Sequence, residues 1–475
     1  MSVEIKILTL MDKFPLKKIT SACPRWMKQI INICLIILLK RSVVRYFGEI
    51  YYKFRIQKVI SDFATPEYHS SDYVGRKVHY FIGSMRPGGA ERQLANTVIG
   101  IHGHNWDVTV SCEYYDTEED KFYGKQLAAK DISVAKLFNT VLPELLANKS
   151  ATPGVYAYLN KIIENKASRF ERSIFPYVQA LLLSKPQVVH AWLDLVNIRA
   201  GIAALIAGVP RIILSQRNVS PDNFLLYLPE MHPGYLTLLQ SPRVTLLNNS
   251  HAGALDYCRW LGIKPDKINV VHNGFYFSGA TPSATEIREF RDKYNIPNNA
   301  PVMGGVLRFY EEKQPLFWIE IARRVLDKHP ECYFVLVGDG ILLEQAKRYA
   351  DQLKLSERIT FTGLMRDVRL AMVSMDVFVL SSRKEGLPNV LIEAQSVGIP
   401  VVAPDVGGVA EALWEGKTGY AIKNAGVENM VERIVVVLKD PEFRNYVKRA
   451  GPEFISNKFG LETMIRNTMG VYGVD

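Results

Sequence analysis

From Val78 onward, short runs of β-branched and aromatic residues alternate with amphipathic stretches of helical spacing. That alternation is the pattern of stacked βαβ units on a parallel sheet, and it occurs twice. The first series predicts strands at Val78–Ser84, Trp106–Cys112, Ile132–Leu137, Val188–Trp192, Arg211–Ser215, Val244–Asn248 and Ile268–His272. The second predicts Val302–Arg308, Tyr333–Val337, Ile359–Thr362, Val377–Leu380 and Val401–Ala403. Between them Ser278–Thr285 is rich in Ser, Thr, Pro and Gly, a hinge composition. The stretch Phe138–Pro186 is longer than a usual β/α connection and predicts helices of its own, such as Glu171–Leu183. With Asn218–Pro233 it is a candidate rim. The pattern therefore predicts an α/β chain of two Rossmann-like doubly wound domains, residues 76–285 and 286–455, facing a cleft. A helical extension over residues 1–75 precedes them, and a helix over 456–475 follows. Ligands of such sheets sit beyond the carboxyl ends of the strands, so the cleft is the expected site.

Length and charge refine this picture. At 475 residues the chain exceeds one hydrophobic core. With 48% hydrophobic and 22% charged residues, it leaves little room for extended disorder. Much of the net charge of +10 lies before residue 71, where Lys and Arg outnumber Asp and Glu twelve to five. Within that stretch Ile30–Leu39 is apolar, but as a helix it spans only about 15 Å against roughly 30 Å of bilayer hydrocarbon. It leads into Lys40-Arg41 instead of a small-residue cleavage site, so it does not read as a secretory signal. Trp26, Tyr46, Phe47, Tyr51, Tyr52 and Phe54 are interleaved with the cations. This fits a helix lying on an anionic membrane surface and equally one packed on the protein's own body. Nucleic acid is disfavoured, because the basic excess accompanies an apolar helix and not a base-stacking platform. The five cysteines are scattered and form no CxxC pair, which argues against a disulfide framework or structural zinc and for a reducing compartment.

The densest candidate chemistry is Ser381–Ala394, where Glu385 and Glu393 stand eight positions apart around Gly386, Leu387, Pro388, Asn389, Val390 and Leu391. Strand Asp376–Leu380 is expected to run into a loop at Glu385-Gly386, with Pro388 just inside the following helix. The free amides of that first turn then form an anion site for a diphosphate. Glu393 is placed to accept from vicinal hydroxyls, and Glu385 to hold others. Taken alone, the two acids read equally as charges favoured at a helix start. Arg308 closes a predicted strand and Lys313 lies five residues on, so both could reach the same cleft. Charge-assisted bonds to a diphosphate are worth ~1.5–3 kcal/mol each. The turn Met85–Arg92 carries Gly88 and Gly89, where backbone can approach phosphate. Neither a GxGxxG fingerprint nor a GK[ST] P-loop is present, which disfavours a nicotinamide dehydrogenase. No Asp-x-Asp pair offers itself to a divalent cation.

Gly88-Gly89-Ala90-Glu91, Arg308 with Lys313, Leu336–Gly340, Ile359–Gly363 and the Glu385–Glu393 segment occur in one order. That order resembles glycosyltransferase family 4 from Val78 to the C-terminus. The resemblance implies a GT-B fold, with an acceptor domain followed by a donor domain, and metal-independent retaining transfer from a nucleotide diphosphate sugar. It implies that Arg308 and Lys313 hold the diphosphate, Glu393 the ribose, and Glu385 with Gly386, Leu387 and Asn389 the sugar. Gly338, Pro388, Val390 and Leu391 would complete the donor site. Met365 and Arg366 would touch the base by backbone, Gly88 and Gly89 would cover the phosphates, and His190 would touch the donor sugar at a strand end. As a lone histidine, His190 also reads as a structural residue. Leu307, Gln314 and Asn273–Tyr276 depart from the family pattern. The implied activity moves a hexose or N-acetylhexosamine from a UDP-linked donor to a lipid-linked or growing surface polysaccharide at the inner face of the cytoplasmic membrane, beside other polysaccharide-synthesis proteins. A sugar-nucleotide epimerase or hydrolase, or a non-catalytic donor-binding scaffold, are the alternatives.

Overall fold

A computed structural model describes residues 45–65, 76–138, 152–224, 227–276, 282–365 and 367–473. The apolar run Ile30–Leu39, the first half of the 278–285 hinge and Arg366 lie outside the described residues. The chain forms two parallel sheets. The first holds β1 (Lys77–Ile82), β2 (Asp107–Cys112), β3 (Val134–Lys136), β4 (Val188–Trp192), β5 (Arg211–Gln216), β6 (Val244–Asn248) and β7 (Ile268–Val270), ordered β3-β2-β1-β4-β5-β6-β7. The second holds β8 (Val302–Val306), β9 (Tyr333–Val337), β10 (Ile359–Gly363), β11 (Val377–Val379), β12 (Val401–Pro404) and β13 (Gly419–Ile422), ordered β10-β9-β8-β11-β12-β13. Most central strands are continuous apolar runs because helices cover both faces, so β4 and β12 are buried from end to end.

Strand order reverses between β1 and β4 in the first sheet and between β8 and β11 in the second, where Val78 pairs with Val188 and Val377 with Met303. Crevices open at these two points. The edge strand β13 is not predicted by the pattern: four residues beginning at a glycine carry no apolar run. Pairing with β12, from Val401 opposite Gly419 to Pro404 opposite Ile422, makes it a strand. The predicted strand Val302–Arg308 ends at Val306, so Arg308 stands in the loop beyond it and does not close the strand.

The chain turns at Gly460, and the Leu461–Tyr472 helix packs on the first domain. Ile465 lies so close to Gly100 in the Gly89–Gly103 helix that a Cβ there would stand 2.3 Å from Ile465 Cδ1. Tyr472 is buried beside Trp106, and its hydroxyl bonds Tyr80 at 2.6 Å. Residues 45–63 form a helix with two faces. Ile56, Val59 and Phe63 enter the first domain's core, each such burial stabilising by about 1.5–3 kcal/mol. Tyr46, Phe47, Ile50, Tyr51 and Phe54 point outward, 36 to 67% exposed. Gly48 lets this helix meet Pro229, and Arg45 pairs with Glu49 and Asp222 while its guanidinium stacks 3.8 Å from the Tyr227 ring centre. Among the described residues no helix is long and apolar enough to cross a membrane.

Candidate active site

Both crevices open into one cavity of about 570 Å³ between the domains. From the second domain it is lined by Arg308, Lys313, Gly338, Met365, Glu385, Gly386, Leu387, Pro388, Asn389, Val390 and Glu393, and from the first by Gly88 and Gly89. Every described donor-site residue expected from the sequence is among these except Leu391 and His190. Leu391 is packed in the second domain's core instead. A larger hollow of about 770 Å³, lined by Asp256, Arg259, Arg383 and Lys384, contains none of the expected donor residues.

The Glu385 loop is shaped by glycines. A Cβ on Gly407, which has φ +54°, would stand 1.8 Å from the Glu385 carbonyl oxygen, and one on Gly408 2.1 Å from that of Gly386. Only residues without side chains let the 405–408 turn support the loop from behind. On its other side, a Cβ on Gly386 would meet the Arg217 carbonyl oxygen at 2.7 Å, so the loop touches the first domain through bare backbone. Gly338, at φ +133°, is likewise pressed on Leu307, with 1.9 Å from an added Cβ to its carbonyl oxygen. Pro388 does not sit inside the helix, as expected, but immediately before it: the helix is Asn389–Ser396, and Pro388 keeps an extended ψ of 103°. No side chain caps that helix among the described residues. The Leu391 amide donates to the Pro388 carbonyl at 3.2 Å, and the helix start at Asn389 and Val390 lines the cavity.

The charges in the cleft are mostly paired with one another. Lys313 Nζ donates to Glu385 Oε1 at 2.6 Å, with both side chains largely buried. Arg92, from the first domain, bonds Glu393 across the cleft. Arg308 has a side chain 65% exposed, which reaches Glu312 at 3.5 Å and lies 5.6 Å from the Tyr310 ring centre. Burial pushes the Glu91 carboxyl up, while a bond to its own backbone and the field of Arg308 pull it down, so Arg308 faces the Gly88 turn. Asn273 Nδ2 donates to Asn389 Oδ1 at 2.5 Å, and Asn389 Nδ2 donates to the Gly89 carbonyl at 3.4 Å, joining the two walls.

His190 is placed differently from the expectation. It sits in the middle of β4, opposite Tyr80 and Ile213, and is 1% exposed. Its Nδ1 faces the Tyr472 hydroxyl at 2.8 Å and its Nε2 has no partner. Burial, with a contribution from nearby Arg217, pushes the imidazole well below its ordinary range, so it is neutral. The strand runs two residues further, and Leu193, at φ 75°, is the residue that reaches the cavity. Sequence reading assigned no role to Arg92, Arg217, Asn249 or Asn273, all of which line the cavity. Arg217, Asn249 and Asn273 each follow a strand of the first sheet, and applying the strand-end rule strand by strand would have found them.

Away from this cavity, Glu411 of the second domain accepts from the backbone N–H groups of His251 and Ala252, both at 2.8 Å, and lies 3.0 Å from His272 Nε2. The ligand atoms of His251, His272 and Glu411 lie within 4.8 Å of one another. They tie the domains together outside the donor residues.

Two doubly wound domains with their strand ends opposed across a cleft define the GT-B fold. The structure of Anabaena Alr3699/HepE in complex with UDP and glucose superposes with a TM-score of 0.67, covering 84% of this chain and 99% of that one at 20% identity. Residues 286–454, the second domain, match the model of the family Glycosyl transferases group 1. It is 37% identical over 290 residues to the Vi polysaccharide biosynthesis protein VipC/TviE of Salmonella typhi, covering 59% of this chain and 50% of that protein. It is 26% identical over 306 residues to the UDP-Gal:alpha-D-GlcNAc-diphosphoundecaprenol alpha-1,3-galactosyltransferase of Escherichia coli, covering 63% of this chain and 79% of that enzyme. The chain thus spans half the length of the Salmonella relative.

Proposed function

We propose that this chain is a retaining glycosyltransferase that moves a hexose or N-acetylhexosamine from a UDP-linked donor to a lipid-linked or growing surface polysaccharide. The observation that carries this reading is the convergence of Lys313, Arg308 and the uncapped start of the Asn389–Ser396 helix on one cavity. Cations and oriented amides there offset the charge that develops on a departing diphosphate. In the reaction, the bond from the sugar's anomeric carbon to the phosphate oxygen breaks. The acceptor hydroxyl attacks from the same face, and its proton passes to the departing phosphate oxygen. Glu385 holds sugar hydroxyls and Glu393 the ribose, while Lys313 turns from Glu385 toward phosphate as the donor enters. The printed names of the relatives, a polysaccharide biosynthesis protein and a transferase acting on a diphosphoundecaprenol acceptor, support the acceptor class. The outward aromatic stripe on residues 46–54 supports contact with a lipid surface.

Calorimetry on the purified chain tests the donor reading. Binding is expected for UDP and at least one of UDP-glucose, UDP-galactose and UDP-N-acetylglucosamine, followed by UDP release when a lipid extract is added. Failure of every UDP compound to bind folded protein overturns it. For the lipid contact, replacing Phe47 and Phe54 together by Ser should cut sedimentation with anionic vesicles while leaving UDP affinity unchanged. Undiminished sedimentation would assign those residues another role.

A further inference from the structure

Arg217 is the first residue after β5, and its guanidinium lies 4.1 Å from the Trp192 ring centre. One terminal nitrogen donates to Asn273 Oδ1, the other reaches Ser215 Oγ at 3.4 Å, and Nε is buried without a partner. The other cleft cations have carboxylates: Lys313 has Glu385, Arg92 has Glu393, and Arg308 has Glu312. Among the described residues Arg217 has none, and burial alone pushes it down to about 9. A guanidinium keeps its proton in proteins, so without a carboxylate among the described residues this one carries an uncompensated desolvation cost. Neutral His190 beneath it adds no second positive charge.

Its position says what could supply the missing counter-charge. The Arg217 carbonyl is pressed on Gly386, and its partner Asn273 is bonded to Asn389 at the start of the Asn389–Ser396 helix. Arg217 therefore stands directly beside the loop assigned to the sugar. The donor diphosphate has Lys313, Arg308 and the helix amides on the opposite wall.

Resting on the glycosyl-transfer reading above, we infer that Arg217 binds an anionic oxygen group, a carboxylate or phosphate, borne by a saccharide on the sugar side of the cleft. Such a group pairs bidentately with the planar fork, as an uncharged hydroxyl does not. It could belong to the transferred sugar or to the acceptor. The enzyme would then handle an acidic saccharide at one of these positions.

The test uses the full chain as wild type, Arg217→Gln and Arg217→Lys. Calorimetry with UDP, UDP-glucose and UDP-glucuronate examines the donor. Saturation-transfer NMR on UDP-loaded protein, with methyl glucuronide, glucose 1-phosphate and methyl glucoside, examines the acceptor. Wild type should prefer an acidic ligand over its neutral counterpart in one arm, and Arg217→Gln should lose that preference by about tenfold (~1.4 kcal/mol). Lysine should restore part of it, and UDP affinity should stay within about twofold, a change of under ~0.5 kcal/mol. Loss in the first arm assigns the anion to the donor, and loss in the second to the acceptor. Equal treatment of acidic and neutral ligands by wild type overturns the inference, as does a matching loss of UDP affinity in Arg217→Gln. UDP binding by wild type with no acidic preference sinks this inference alone, whereas absence of UDP binding sinks the functional reading beneath it. The unfolding midpoint separates a structural role: removing an uncompensated cation should hold or raise it, and a fall shared by both variants would make Arg217 a packing residue.

Discussion

The two walls of the cleft are built in different ways. The second domain concentrates its wall in two short stretches, Val306–Lys313 and Leu380–Glu393, each following a single strand, and Gly338 and Met365 with their neighbours complete it. The first domain supplies Pro87–Arg92, Phe122 with Tyr123, Leu193, Arg217 with Asn218, Asn249 and Asn273, which follow six different strands. A wall made from contiguous segments can hold one rigid ligand portion in a form visible as a motif. A wall made of single strand-end residues can change one position at a time without disturbing the rest.

The largest expected effect strikes the contiguous wall. Lys313→Ala leaves Glu385 buried without its partner and removes a cation from the diphosphate. Turnover should fall by about 10²–10³, or ~2.7–4 kcal/mol, read as UDP release at saturating donor. A loss under about fivefold, less than ~1 kcal/mol, would move the charge stabilisation elsewhere. Next is the support of the Glu385 loop: Gly407→Ala places a side chain in a left-handed turn and against a carbonyl. Stability should drop by more than about 2 kcal/mol, visible in denaturant unfolding. An unchanged midpoint would mean that the turn shifts freely.

A smaller effect tests the contact between walls. Arg92 holds Glu393, the residue assigned to the ribose, so Arg92→Ala should raise UDP affinity by about two- to fivefold (~0.4–1 kcal/mol). Weaker binding would show that Arg92 helps to hold the nucleotide. The smallest effect belongs to Glu411. Burial pushes its carboxyl up, but bonds from His272 and from the His251 and Ala252 amides outweigh this and hold it below the ordinary carboxylate range. A depressed carboxyl contributes stability above its unfolded value and loses it as pH falls through the folded one. Wild type should therefore lose stability relative to Glu411→Gln as pH falls below the ordinary glutamate range. Parallel midpoint curves would remove this contact from the domain interface.

Legibility in the sequence followed the same divide. Twelve of the thirteen strands could be anticipated, because parallel strands buried on both faces are continuous apolar runs. The edge strand β13 could not, since an edge is defined by its neighbour. Glu385, Glu393, Arg308 and Lys313 could be placed on one cavity because they lie in two short segments that each follow a strand of the second sheet. His190 was misplaced by two residues of strand, enough to move it from the cavity into the sheet: the pattern already ended that strand at Trp192, and the strand-end role came from the resemblance alone. The helix at residues 45–63 left two readings open: one face packs on the first domain, and the other leaves its aromatic residues exposed.

What the residue order determined alone was the alternation of elements, the two doubly wound domains and the charged loop of the second. All of these are short-range, arising from periodicity, turn chemistry and the orphan amides of a helix start. What only the tertiary structure decided was which side chains meet across the cleft: Arg92 on Glu393, Asn273 on Asn389, and Arg217 with no acid to meet. Those contacts join residues 116 and 301 positions apart. Ion pairing and burial depend on distance through space, which no local pattern encodes.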